Sequence, residues 1–332
     1  MGDPQPPRYA ARLNSFKVGA ETYWPGRNRV TTADLLERAA TVEGLNAADL
    51  NYPDHFEDAS PGELAAVLGR LGIGLNGLAM RYYSDVDFRL GALTNPDANR
   101  RRKAIDLTRR GLDALAEMGG TLMTLWLGQD GFDYPFQADY GRMWDDTIAA
   151  VRELAGHNPA IDIALEYKPD EPRSYSLMGD AGTTLLAIRE AGAANLGVTL
   201  DFAHVLYAGE MPAHTVHLVN RHSRLLGIQL NDGYGKRDDG LMAGSVHPVQ
   251  TVELLVALRR CGYARAIYFD TFPDTGGLDP VAECRSNIET IDRLRAVAAT
   301  LADDERLAQA IARHDATASQ RIVAAALYGA GG

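Results

Sequence analysis

A chain of 332 residues that is 46% hydrophobic and 23% charged has the composition of a soluble globular protein. Its length suits one α/β barrel, which takes about 250 residues plus extensions. A formal charge of −11 argues against nucleic acid as a partner, because phosphate binding leaves a basic footprint. The polar, Pro-rich start MGDPQPPRYAARL has no apolar leader and no run of about 18 apolar residues occurs, so a cytoplasmic protein without membrane contact is expected.

In chain order, residues 1–13 read as a flexible N-terminus, and short β-rich runs then alternate with helical patterns. FKVGA (16–20) is the first predicted strand, and a helix follows over 32–43. NAADL (46–50) precedes a helix over 61–71 whose Ser60-Pro61 start reads as an N-cap followed by proline at the first helical position. IGLNGLAM (73–80) leads to a helix over 99–118, TLMTLW (121–126) to one over 143–155, and IDIALEY (161–167) to one over 182–191. LGVTLD (196–201), LLGIQL (225–230) and AIYFD (266–270) complete the strands, with helices over 216–222 and 249–260 between them.

The helices carry apolar residues at i, i+3, i+4 and i+7, and Gly119, Gly192 and Gly262 stand where three of them should end. Alternation of β and α elements implies a parallel sheet, and eight repeats favour closure into a (β/α)8 TIM barrel over residues 14–298. Neither GxGxxG after the first strand nor GxxxxGK[ST] occurs, which argues against dinucleotide and P-loop functions. The run Arg100–Arg102 opens an amphipathic helix and reads as a solvated or ion-paired face before a phosphate site. Cys261 and Cys284 match no zinc or CxxC spacing and read as free thiols. Residues 299–332 form a helical tail outside the eightfold count, expected to contact a second subunit in a dimer or tetramer.

Barrel active sites sit at the C-terminal ends of the strands. Glu166 ends the fifth predicted strand, Asp201 the sixth, Gln229 the seventh and Asp270 the eighth. Any one of them could be a helix cap or ion pair, but four on consecutive strands suit a hard divalent cation, Mg²⁺ or Mn²⁺. His204, three residues beyond Asp201, is a candidate second ligand or substrate contact. Lys168 follows Glu166 by two residues and should point into the same mouth. Asp238 and Asp239 lie in GYGKRDDG (233–240), where a solvated loop is an equally good reading. Tyr23, Trp24, Tyr82, Tyr83 and Trp126 lie near strand ends, where rings suit the C–H faces of a sugar or simple rim packing.

These segments resemble the D-xylose isomerases. LEYKPDEPR (165–173) is similar to that family's IEPKPNEPR segment, GVTLDFAHVLYAGE to its GVNPEVGH stretch, IQLNDGYGKRDDGLMAG to its IDLNGQ…DQDLRFG stretch, and YFDTFP to HFDFKP. NPDANRRRKAIDLTRRGLDALAEMGGTLMTLWLGQDG resembles its helix and following strand, and the order holds from about residue 14 to 290. The resemblance implies that Glu166, Asp201, Gln229 and Asp270 hold one cation and that Asp201, His204 and Asp238, with Asp239 a stand-in, hold a second. It further implies that Lys168 contacts the substrate oxygen and that Trp126 walls the sugar pocket, and Tyr83, Trp24, Asn51 and Asp54 are further candidate substrate contacts.

Three departures bear on mechanism. Gln229 replaces a carboxylate, Gly240 stands where the second site takes an aspartate, and Asn51 or Tyr52 occupies the place of the ring-opening histidine, with His55 nearby. A two-cation hydride shift polarises both oxygens of the C1–C2 bond, so an incomplete second site favours one cation, and the resemblance to the superfamily's epimerases then implies enediolate proton transfer with Glu166 and Asp270 as the proton-exchanging pair. The expected function is therefore a sugar isomerase or epimerase acting on an unphosphorylated aldose or ketose, with one Mn²⁺ or Mg²⁺. The alternatives are a true two-metal aldose–ketose isomerase, the Mn²⁺-dependent catalytic subunit of a 3-oxo-glycoside deglycosidase with a small partner subunit, and a degenerate sugar-binding barrel.

Overall fold

The computed structural model describes residues 8–329. Eight parallel strands close a barrel: β1 (Tyr9–Arg12), β2 (Ala47–Tyr52), β3 (Gly74–Met80), β4 (Leu122–Trp126), β6 (Asp162–Glu166), β8 (Leu196–Asp201), β9 (Leu225–Leu230) and β10 (Ile267–Phe269). β5 (Gly131–Phe132) and β7 (Tyr175–Ser176) pair antiparallel outside the barrel. Closure is made at β1, where Ala10 registers with Ala47 on one side and Tyr268 on the other. The expected (β/α)8 TIM barrel is the fold observed.

The outer helices are α1 (Thr32–Ala39), α2 (Pro61–Leu71), α3 (Ala98–Glu117), α4 (Tyr140–His157), α5 (Ala181–Ala191), α6 (Pro212–His222), α7 (Pro248–Arg260) and α8 (Pro280–Ala302). Their starts follow from local chemistry. Ser60 caps α2 in a capping box with Glu63, and Asp180 caps α5 by accepting from Thr183 N–H.

The first strand differs from expectation. β1 is Tyr9–Arg12, inside the stretch read as a flexible N-terminus, whereas FKVGA enters a 3-10 turn over Leu13–Lys17 and continues past it. Arg38 of α1 explains the turn, because its guanidinium donates to the carbonyls of Phe16 (2.8 Å) and Val18 (2.6 Å), groups that a strand would have paired in a ladder. Residues 1–7 lie outside the described part.

Strand alternation decides what faces the barrel axis. On β6, Ile163 and Leu165 enter the main core between sheet and helices, so Ala164 and Glu166 face inward. On β8 the main core takes Leu196, Val198 and Leu200, leaving Thr199 and Asp201 inward. The same parity turns Asp49 of β2 and Trp126 of β4 into the lumen.

Beyond α8, α9 (Glu305–Ala312) buries Leu307 and Ala310, while Ile322, Val323, Ala326 and Leu327 of α10 (Ala316–Tyr328) are half-buried against the barrel's core. The tail thus packs on its own barrel. Among the described residues no helix is long and apolar enough to cross a membrane.

Candidate metal centre and active site

Glu166, Asp201 and His204 are buried, and one ligand atom from each lies within 4.8 Å of the others. Gln229 Nε2 donates to Glu166 Oε2 at 3.0 Å, which turns its carbonyl away from that bond. Asn231 Nδ2 donates to both Asp201 oxygens (3.3 and 3.1 Å) and to the Asp270 carbonyl (3.1 Å), tying β8 to β10. Asp201 also accepts from His204 N–H (3.0 Å) and so caps the short helix Phe202–Tyr207 that carries the histidine.

His204 Nδ1 stands 3.0 Å from the Tyr167 carbonyl and therefore carries a proton, while Nε2 is 3.1 Å from Asp238 Oδ2. Lys168 Nζ joins the same Asp238 oxygen at 3.2 Å and Glu171 Oε2 at 2.9 Å. Asp238 is thus shared between two cationic groups. Burial acts to raise its carboxyl, but the His204 hydrogen bond and Lys168 overcome it and hold the group at about 2.

Burial pushes the Glu166 and Asp270 carboxyls up and takes Asp201 up to about 8, with mutual repulsion adding to each. Several carboxylates confined in one low-dielectric place repel one another unless a cation joins them. Gln229 Oε1 and Asp270 Oδ1 are both fully enclosed with no hydrogen-bond partner among the described residues, and enclosed acceptors are costly when unpaired. Carboxylate and amide oxygens with an imidazole nearby make a donor set suited to a divalent cation, so these residues fit a metal centre.

A cavity of about 490 Å³ opens above the centre at the C-terminal mouth of the barrel. The expected Glu166, Lys168, His204, Gln229 and Asp270 reach it, while Asp201 lies buried behind them. Trp126 forms one wall, with the Tyr83 ring edge-on at 5.8 Å and Lys168 Nζ at 5.4 Å from its own ring centre.

Other expected residues are not brought there. Asp239 turns back on its loop, accepting from Tyr234 N–H (2.9 Å) and pairing with Arg237 (2.7 Å). Gly240 has φ +57°, and a Cβ on it would stand 2.2 Å from the Phe272 ring, so the chain can carry no carboxylate at that position without rebuilding the loop. Trp24 packs with Tyr23 against Arg38, and Asp54 lines a separate depression with His55. Asn51 is buried, and its N–H donates to His55 Nδ1 at 2.8 Å while His55 Nε2 bonds Asn14 Oδ1 at 2.6 Å. That bonding and burial, which takes the ring down to about 3, fix His55 as a neutral packing group.

The cavity also contains residues that the sequence reading passed over: Arg12, Asp49, Arg81, Glu171 and Tyr268. Position at a strand end was the available signal for Arg12 and Arg81, and inward parity with Asn51 the signal for Asp49.

The profile of the xylose isomerase-like TIM barrel family matches residues 37–296. The chain belongs to that family. A "Probable sugar isomerase" of Mesorhizobium japonicum is 27% identical over 262 residues, covering 73% of this chain and 58% of the relative. The xylose isomerase of Thermus thermophilus is 28% identical over 247 residues, 71% of this chain and 63% of its own. This family member therefore spans roughly three-fifths of the length of the curated relatives it matches. A solved L-ribulose 3-epimerase superposes over 90% of this chain and 99% of its own with a TM-score of 0.68 at 16% identity, which is a likeness of fold.

Proposed function

We propose that this chain is a divalent-cation-dependent sugar isomerase or epimerase acting on an unphosphorylated aldose or ketose. The observation that carries the reading is the buried Glu166–Asp201–His204 group, with enclosed oxygens of Gln229 and Asp270 that accept no hydrogen bond beside it, facing an aromatic-walled cavity at the strand ends. The names of the relatives, sugar and xylose isomerases and an L-ribulose epimerase, support the same class.

Glu166, Asp201, Gln229 and Asp270 would hold one Mn²⁺ or Mg²⁺, which when bound supplies Lewis acidity to vicinal sugar oxygens. Glu166 and Asp270 stand on strands separated by β8 and β9, an arrangement that suits proton removal from one side of a sugar carbon and return from the other. Lys168, oriented by Asp238 and Glu171, is the donor for charge developing on a substrate oxygen. Trp126 and Tyr83 cover apolar C–H faces and limit water.

The turned-away Asp239 and the ring-covered Gly240 favour proton transfer at one cation over a two-cation hydride shift. An assembly of two or four copies joined through the tail belongs to the same proposal, supported by exposed Ile311 and Tyr328. Purified protein incubated with a panel of free sugars tests the function. Conversion that EDTA removes and Mn²⁺ restores is expected; no conversion of any sugar, with cleavage of a 3-oxo-glycoside instead, would favour the lyase.

A further inference from the structure

We propose that the substrate carries a carboxylate, bound by Arg12 and Arg81 on the β1–β3 side of the cavity, facing Glu166 and Gln229. The inference rests on the sugar isomerase or epimerase reading of the same cavity. In the barrel order, β1 lies across from β6 and β3 across from β9. Arg12 ends β1 and Arg81 follows β3, so the two guanidiniums confront Glu166 and Gln229 over the cavity that all four line.

Neither arginine has a hydrogen-bonded anionic partner: Arg81 forms no close ion pair, and Arg12 is paired only loosely, at 3.8 and 4.0 Å. Arg81 makes no side-chain hydrogen bond and no ion pair with any described residue, its Nε is fully enclosed, and its ring neighbour is Tyr83 at 5.5 Å. Arg12 Nε is 3.8 Å from Asp270 Oδ1 and Nη1 is 4.0 Å from the exposed Asp274, both beyond hydrogen-bond reach, and the group lies over the Phe272 ring at 4.9 Å. Asp49, the carboxyl on the intervening strand, is taken up to about 7 by burial and already accepts from Asn76.

A guanidinium stays protonated in any protein site, so an enclosed one without a partner is costly. Hydroxyl oxygens of a neutral sugar satisfy its N–H groups only in part, whereas a carboxylate accepts two parallel charge-assisted bonds. A phosphate fits less well. Barrels of this kind bind phosphate in the loops after the last two strands, and here that side carries Asp238 and Asp270.

Matched pairs that differ only at C6 test the proposal on the Mn²⁺-loaded protein: D-glucuronate with D-glucose, D-galacturonate with D-galactose, and D-mannuronate with D-mannose. Affinity by calorimetry and kcat/KM are both read, with D-glucose 6-phosphate as a further arm. At least one uronate is expected to bind about tenfold or more tightly than its hexose, and Arg81→Met and Arg12→Gln should each cut that ratio roughly 10- to 100-fold. Arg81→Lys should recover part of it. If Arg81→Met does not fold, the Arg12→Gln ratio and the weakening of uronate binding by salt in the native protein decide.

Hexoses converted in preference to every uronate, an unchanged ratio in both variants, or preference for the phosphate over D-glucuronate would overturn the carboxylate site and leave the isomerase reading standing. Arginine-dependent uronate binding with no conversion of any compound would keep the site and sink that reading.

Discussion

Gln229 donates its amide to Glu166 at 3.0 Å and thereby holds its own carbonyl oxygen enclosed and unpaired beside the metal centre. A glutamate there could not donate, and would add a negative charge to a place already crowded with carboxylates. Gln229→Glu is therefore expected to tighten Mn²⁺ binding about tenfold or more while destabilising the metal-free protein by about 1–3 kcal/mol, the cost of a lost buried hydrogen bond to a charged group. Calorimetric titration and melting curves with and without Mn²⁺ check both halves.

Asp201 has two tasks, facing the metal centre and capping the helix that bears His204. Asp201→Ala should remove metal affinity and activity together, and cost about 1 kcal/mol for the lost cap. Full activity without added metal in this variant would contradict the assignment.

Lys168 is set differently, bonded to Asp238 and Glu171 rather than to the metal-facing oxygens. Lys168→Met should retain the Mn²⁺-induced rise in melting temperature but lower kcat by about 10²-fold or more. Loss of the metal response would show that the lysine holds the centre rather than the substrate.

His55 supplies a pH dependence independent of the metal. Its Nδ1 accepts from Asn51 N–H, so protonation breaks a bond, and burial takes the ring down to about 3. Between that value and the unfolded value near 6.5 the native state binds fewer protons than the unfolded chain, so stability falls as pH drops through this window, by about 1.4 kcal/mol per unit at most. The loss in stability from pH 6.5 to 5 should be smaller in His55→Leu by about 1.7 kcal/mol; equal losses would contradict the buried neutral histidine.

Strand ends were legible in the sequence because acidic groups closing apolar runs have few other reasons to stand there, and period-two alternation turns Glu166 and Asp201 inward. The first strand was not, because Tyr9–Arg12 is four residues long and Ala-rich, while FKVGA has the apolar, β-branched look of a strand. Only the reach of Arg38 from α1 decides between them. Neighbouring Asp238 and Asp239 were indistinguishable for a similar reason: the loop's backbone, pinned where Gly240 passes under Phe272, sends one inward and the other to Arg237. Arg12 and Arg81 were passed over because a cation beside a strand is ordinarily solvated, and closure of the barrel is what encloses them.

The central claim is proton exchange at a sugar carbon beside one cation. Mn²⁺-loaded protein incubated with the sugar and uronate panel in D₂O and followed by NMR measures it directly. Product bearing deuterium at the carbon next to the carbonyl is expected, with Glu166→Gln and Asp270→Asn each abolishing its incorporation. Product formed without deuterium, or exchange that persists in both variants, would contradict the account.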